Sequence, residues 1–478
     1  MNKPVFNPVL PSWEYVPDVE PRVFGGRLYL YGSHDRFGGD RFCMNGCYMG
    51  WSAPLDDLSD WRYEGAIYDT KEDPANEDGT QTGFAPDCVQ GPDGRYYLYY
   101  CLSRSSLVSV AAADVPEGPF HFYGHVHGSD GKPYGGPGSI FGFDPGVLMD
   151  DGRIWLFAGF AAHEPMRTYL RQGGLLVDGS YCVELAPDML TVLTEPKLVV
   201  PGQEVSEGTG FEGHAFFEAS SPRKIGDRYY LVYSSQRSHD LCYAVSDRPD
   251  GGYTYGGILV SIGDIGLRDE ADAVNYLENT HGGMVELNGQ WYVFYHRPTN
   301  RSHYSRQCCA QPVRIQPDGS IPQAEVTSCG LNGGPLPGRG SYPAYIACNL
   351  SSAHGVCFYT NAEVIGPEHP YFTQSGGDRE GDGDQYIANL QDGAWAGFKY
   401  FAFTGAEKRL SVTLRGDGSG TLRVTTERDR SPAAEIPVTA STDWAQFPAP
   451  LTVEPGNAAL YFTYHGGGAV DFAAFDIE

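Results

Sequence analysis

Positive charge is scarce in this chain. Its 33 lysines and arginines face 60 aspartates and glutamates, a formal net charge of -27, so phosphate backbones would be repelled and nucleic acid is excluded as a partner. A neutral ligand is not excluded by that charge. Long apolar runs are missing too: nowhere do about 18 apolar residues follow one another, so no membrane helix is expected. The opening stretch MNKPVFNPVLPSW lacks the apolar core of a signal peptide. The eleven cysteines are odd in number and scattered, and Cys101, Cys242, Cys308 and Cys309 fall inside expected strands. Both features predict a cytoplasmic protein with free thiols rather than a disulfide framework. Cys43 and Cys47 form a pair in CMNGC, but no second pair follows at zinc spacing, and they read as structural. No G-x-S-x-G, P-loop or dinucleotide fingerprint is present, and HEP at 163–165 lacks the second histidine of a zinc protease.

Aromatics, by contrast, reach 13%, with 62 glycines and 34 prolines, a composition of short strands and many turns. One phrase returns five times: GGRLYLYGS at 25–33, DGRYYLYYC at 93–101, DGRIWLFAG at 151–159, GDRYYLVYS at 226–234 and NGQWYVFYH at 288–296. Each is a tight turn feeding a strand with both faces packed. The matching aromatics Tyr29, Tyr97, Trp155, Tyr230 and Tyr292 are separated by 68, 58, 75 and 62 residues, a spacing that suits all-β repeats rather than a helical solenoid. Five such units predict a five-bladed β-propeller over residues 1–328. The Gly/Pro-rich stretch 329–343 reads as a linker. Alternating segments such as RLSVTLRG and GTLRVTTE predict a second domain over 344–478, a jelly-roll-like β-sandwich. The fold class is therefore all-β, and 478 residues suit two cores.

A propeller converges on its axis, and acidic residues stand just ahead of four of the phrases. Asp18, Asp87, Asp144 and Glu218 lie eleven, ten, eleven and twelve residues before the matching aromatic. One such residue alone is more often a turn or cap. Together they supply what glycosidic cleavage needs, an acid for the leaving oxygen and a base for water.

At these residues the chain resembles glycoside hydrolase family 43. Asp18 opens the first unit, Asp144 begins DPGVLMDDG, and Glu218 begins EASSPRKIGDRYYL. THGGMVELNGQWYVFYH is similar to the family's G-H-x-S segment, with His281 as its histidine, Thr280 in place of the glycine and Gly283 in place of the serine. Arg306 matches a sugar-contacting arginine. The resemblance implies an inverting, exo-acting glycosidase: Asp18 as general base, Glu218 as general acid, and Asp144 raising the acid's pKa by its charge. Base and acid should stand about 6.5–9.5 Å apart to admit a water. Asp87 lies outside that triad. Val19 replaces the proline usual after the base, and Glu20, two residues along the strand, points the same way as Asp18, so it stays an alternative base.

Arg306, His34 and His281 are candidates for binding sugar. Trp13, Phe37, Phe84 and Phe211 are candidates for stacking on it. No cofactor is required; a structural calcium ion is expected only if His281 holds one, as in some relatives. The second domain resembles family 6 carbohydrate-binding modules through DQYIANLQDGAWAGFKYFAF and GGGAVDFAAFDIE. An asparagine common near the end of such modules is replaced by Asp471 or Ala469, so Tyr386, Trp395 and Trp444 are equally readable as core. The expected substrate is a plant-derived oligosaccharide of arabinoxylan or arabinan type. L-Arabinofuranose is the first choice of released sugar, followed by xylose or both, then galactofuranose. A sugar-binding propeller without catalysis is the rival reading. A monomer suffices for either.

Overall fold

In the computed structural model, residues 3–478 are described apart from 270–271, 360–364, 380 and 429. The repeats fold as five antiparallel sheets. Four have four strands in simple succession, running from Glu20–Phe24 to Arg62–Asp69, Gly83–Gln90 to His121–His125, Gly146–Asp150 to Lys197–Pro201, and Phe216–Ile225 to Thr254–Ser261. The fifth has three: Met284–Leu287, Gln290–Thr299 and Ser302–Val313. All five marker aromatics are buried on the second strand of their sheet.

Turn chemistry sets the inner hairpins. Gly25–Gly26 (φ 54° and 79°), Asp151–Gly152 (47° and 76°) and Asn288–Gly289 (54° and 82°) hold both central residues at positive φ. Their twist then matches that of the flanking strands. The first strands of neighbouring blades pack around one axis, and a parallel bridge from Val19 to Gly282 joins the first blade to the fifth.

The start of the chain covers the outer edge of the short fifth sheet. Val9 N–H donates to the Cys308 carbonyl (3.0 Å) and Asn7 N–H to that of Ser328 (3.0 Å). The Asn7 side chain bonds both backbone groups of Ala310, at 2.9 and 2.8 Å. The exposed edge is thereby paired, which removes a site for aggregation.

The C-terminal residues form two six-stranded sheets around a core that includes Phe398, Phe401, Phe462, Phe472 and Phe475. The stretch expected as a linker contributes two short strands to them. Leu336–Pro337 runs parallel to Trp395–Phe403, and Gly340–Pro343 pairs with Val470–Ile477. Gly and Pro there shape strand ends rather than a free tether. The two units are locked together. Buried Arg297 of the fifth blade donates to the carbonyls of Ala347 (2.9 Å) and Tyr345 (2.7 Å), and its guanidinium sits 4.0 Å above the Phe372 ring. Buried Lys399 reaches back to Glu325 (2.8 Å) and Asp264 (3.3 Å). Trp395 packs with Tyr230, Val260 and Val293 in one apolar cluster across the junction. Trp444 is partly exposed. Arg415 lies over both it and Tyr386, at 4.3 and 4.8 Å, while bonding Asp471 at 3.0 Å. All eleven cysteines are free, and no helix among the described residues is long and apolar enough to cross a membrane.

Candidate active site

The inner strands begin with a shared device. Asp18, Ala85, Asp144 and Ala219 lie at φ 56°, 34°, 46° and 71°, and the strand ladder is irregular between Phe84 and Asp87 and between Glu218 and Ser221. Left-handed residues and bulges re-aim the side chains beside them, and Asp tolerates that region better than most. The result is an axial cavity of about 470 Å³ lined by Asp18, Asp144, Glu218, His281, Arg306 and Phe84, among others.

Asp18 is held by Arg306, whose Nη1 donates to its Oδ1 at 2.9 Å. The rest of that guanidinium is engaged by Asp35, with Nε to Oδ2 at 2.8 Å and Nη2 to Oδ1 at 2.9 Å. Such bidentate pairs fix orientation as well as charge. Burial disfavours an ionised Asp18, but Arg306, with help from the neighbouring histidines and a Ser33 hydrogen bond, holds the carboxyl below the usual aspartate range. His296 accepts the Asp18 N–H on Nδ1 (3.3 Å) and donates from Nε2 to the Asn279 carbonyl (2.8 Å). Burial and then Arg306 push its pKa down to about 3, so it is a neutral post.

The other two carboxyls are shifted upward. Glu218 is raised to about 7, first by burial and then by the charge of Asp18. The expected influence of Asp144 on Glu218 shows instead on Asp144 itself, which is pushed well up by burial and by Glu218's charge. Asp144 Oδ2 accepts the Ala219 N–H (3.2 Å) and stands 3.5 Å from His281 Nδ1. Burial keeps His281 below its usual pKa. One carboxyl is thus lowered beside a cation while two are raised, the kind of divergence on which acid–base chemistry relies.

Several expectations are corrected. Glu20 does not line the cavity; its Oε2 accepts from Arg223 Nη2 at 2.6 Å. Two residues beyond Glu20 on its strand, Arg22 grips Asp87 on the first strand of the second blade (2.9 and 2.6 Å), so Asp87 is a buried ion-pair partner rather than a turn residue. His34 is buried on Glu14 (3.1 Å) and away from the cavity. Burial opposes its charge, but hydrogen bonds to Cys47 and Glu14 prevail and raise it to about 10. Trp13 packs on Trp51 and Tyr63 (centroids 5.6 and 6.0 Å). Phe37 packs tilted against Tyr15, and Phe211 packs near Tyr233. These three rings are taken up by packing and none lines the cavity, which residue type does not reveal. Gly283 has a steric reason: a Cβ there would lie 2.5 Å from Glu20 Oε2 and 2.7 Å from Ser221 Oγ.

The sequence reading also missed residues. Asp35 and Asn279 lie in aperiodic loops. Phe143, Phe160 and Phe217 form an aromatic wall, with neighbouring centroids 4.8 and 5.2 Å apart. Two of these were findable, since Phe143 and Phe217 immediately precede Asp144 and Glu218. Phe42 covers the other side, with Arg306 stacked 4.8 Å from its centroid.

Calcium takes six to eight oxygen ligands. His281 offers a nitrogen, with Asp144 as its acidic neighbour. Among the described residues the one group of three or more metal-ligating side chains is His214, Asp240 and Cys242. The side chains at His281 do not by themselves build a calcium cage.

Asp35→Ala would leave Arg306 buried with half its counter-charge. Loss of one partner from a buried pair costs about 3–5 kcal/mol. The expected result is a lower urea midpoint together with a lower kcat, because Asp18 loses its orientation; Asp35→Asn should recover part of both.

Comparison with known proteins places the chain in a family. Residues 6–321 match the Glycosyl hydrolases family 43. The chain belongs to that family. It is 48% identical over 483 residues to a xylosidase/arabinosidase of Thermoclostridium stercorarium, covering 100% of this chain and 99% of the relative. The GH43_1 enzyme from Xanthomonas citri complexed with xylose is 26% identical, with a TM-score of 0.55, over 69% of this chain and 95% of that one. A family 43 arabinoxylan arabinofuranohydrolase from Bacillus subtilis, solved with cellotetraose, shares the fold across 98% of this chain and 97% of its own, at 18% identity and a TM-score of 0.52. A member of family 43 is a glycosidase, so the rival reading of a propeller that only binds sugar falls away.

Proposed function

We propose that this family 43 glycosidase removes both terminal β-D-xylose and α-L-arabinofuranose from hemicellulose oligosaccharides at one site. Full-length identity of 48% to a xylosidase/arabinosidase carries this reading, and it moves dual specificity ahead of the arabinofuranose-first order expected from sequence. The two glycosides can overlay their scissile bonds, so one acid and one base serve both.

The reaction is a single displacement. Ionised Asp18, fixed by Arg306, takes a proton from water as that water attacks the anomeric carbon. Glu218 delivers its proton to the departing glycosidic oxygen. Asp144, anchored on the Ala219 N–H, positions Glu218 and shares in keeping that region protonated. The aromatic wall of Phe84, Phe143, Phe160 and Phe217 presents an apolar face to the sugar ring, as small-ligand pockets commonly do, while Arg306 offers its remaining hydrogen-bonding capacity.

The test is competition. Nitrophenyl β-D-xyloside and α-L-arabinofuranoside should each be hydrolysed, and each should inhibit the other competitively with an inhibition constant equal to its own KM. Proton NMR of early product should show inverted configuration at the anomeric carbon. Hydrolysis of one glycoside alone would sink the dual reading, and retention would sink the single displacement.

A further inference from the structure

A second cluster of metal-ligating side chains stands on the fourth blade, outside the cavity. His214 belongs to the loop that leads into the strand bearing Glu218. Asp240 and Cys242 lie on the third strand of that blade, Asp240–Ser246. One ligand atom from each comes within 4.8 Å of the other two, and none of the three lines the active-site cavity. From the geometry we infer that His214, Asp240 and Cys242 form a site for a zinc-class divalent ion.

The histidine–carboxylate distance is too long for a direct hydrogen bond and leaves room for an ion. His214 Nδ1 stands 3.9 Å from Cys242 Sγ and 3.9 Å from Asp240 Oδ2. A simple histidine–carboxylate hydrogen bond would have closed to about 2.7–3.2 Å. Tetrahedral zinc, with bonds of about 2.3 Å to sulfur and 2.0–2.1 Å to nitrogen or oxygen, places ligand atoms about 3.4–3.6 Å apart. The two histidine distances each need a contraction of about half an ångström or less to hold the ion, and all three ligand atoms already lie within 4.8 Å of one another.

The second observation is an orphan. Asp240 is fully buried; Oδ1 accepts from Ser235 Oγ, yet Oδ2 has no hydrogen-bond partner. A buried carboxylate oxygen left bare is costly, and a cation between it and the imidazole would satisfy it. Nitrogen, oxygen and sulfur donors together select zinc-like ions over calcium or magnesium. The side chain of His214 is 22% exposed, which gives the ion a way in. Its ring stacks on Tyr255 (4.9 Å, 11°), whose hydroxyl lies 3.9 Å from Cys242 Sγ at the fourth side. On binding, the Cys242 thiol releases its proton to solvent. The ion would clip the loop before Glu218 to the neighbouring strand.

The test uses the full chain stripped with a chelator and titrated with Co²⁺, then Zn²⁺. Expected are one Co²⁺ per chain with a near-ultraviolet thiolate-to-cobalt band, displacement by Zn²⁺, and a rise in Tm. Cys242→Ser should abolish the band, and His214→Gln should weaken Zn²⁺ binding at least tenfold. Because Cys242 is buried its variant can fail to fold, and the more accessible His214→Gln decides the matter alone. No saturable binding, bound Co²⁺ without the thiolate band, or unchanged affinity in His214→Gln would overturn the site. Any of these would leave the proposed glycosidase mechanism untouched, since it uses none of the three residues.

Discussion

Glu218→Gln is expected to lower kcat on xylo-oligosaccharides by about 10²–10⁴-fold, the span that general acid catalysis contributes, with KM little changed. Gln keeps the shape of the side chain and can still donate a hydrogen bond, but it has no proton to transfer to an alkoxide leaving group. On nitrophenyl glycosides the loss should be much smaller, because nitrophenolate departs without protonation. The pH profile gives a second readout. Glu218 acts in its protonated form and its pKa is raised to about 7, so its contribution is present below about 7 and lost as pH rises through that value. Asp18 acts ionised and is held below the usual aspartate range, so its contribution is lost only in strong acid. The wild type should therefore decline above about pH 7, and on aryl substrates the Gln variant should lose that alkaline limb. A variant that keeps the limb, or loses nothing on natural substrates, would remove Glu218 from the acid's role.

The second large effect is expected from cutting the chain after residue 325. The propeller alone should not accumulate as soluble, active protein, as measured by soluble fraction and residual turnover. Leu277, four residues ahead of His281, donates to the Cys357 carbonyl (3.1 Å) and accepts from Tyr359 N–H (2.9 Å), both in the C-terminal unit. The Phe37 N–H, beside Asp35, donates to Asp378 (2.9 Å). Two loops that shape the cavity therefore lean on the sandwich. Removing it would also bare the apolar patch that Trp395 covers, and patches of that kind drive aggregation. Milder cuts at the junction, such as Lys399→Met, should lower Tm while sparing kcat, which separates bracing from catalysis.

The blades were readable because tight turns and alternating aromatics are local signals, and the three carboxylates because each sits at a fixed distance from one of those signals. Position along the strand does not separate Asp18 from Glu20; their partners in three dimensions do, Arg306 reaching one and Arg223 the other, and only Asp18 lines the cavity. Asp35 and His296 act through partners 271 and 278 residues away, a relation no spacing rule encodes. His34 and Trp13 carry the right chemistry, but their side chains are engaged by Glu14 and Trp51 outside the cavity, so residue type alone misplaced them. The missing strand of the fifth sheet could not be found near that sheet at all, because its edge is covered from the other end of the polypeptide.

That closure by Asn7 and Val9 constrains synthesis. Their partners at Cys308, Ala310 and Ser328 leave the ribosome some three hundred residues later, about 15–60 s at ordinary elongation rates. Until then Asn7 and Val9 have no edge to dock on, and blades already made form an open arc with a bare rim. Completion of the toroid must follow translation of nearly the whole propeller, which makes this a fold that ripens late and depends on residues 7–9 staying unengaged.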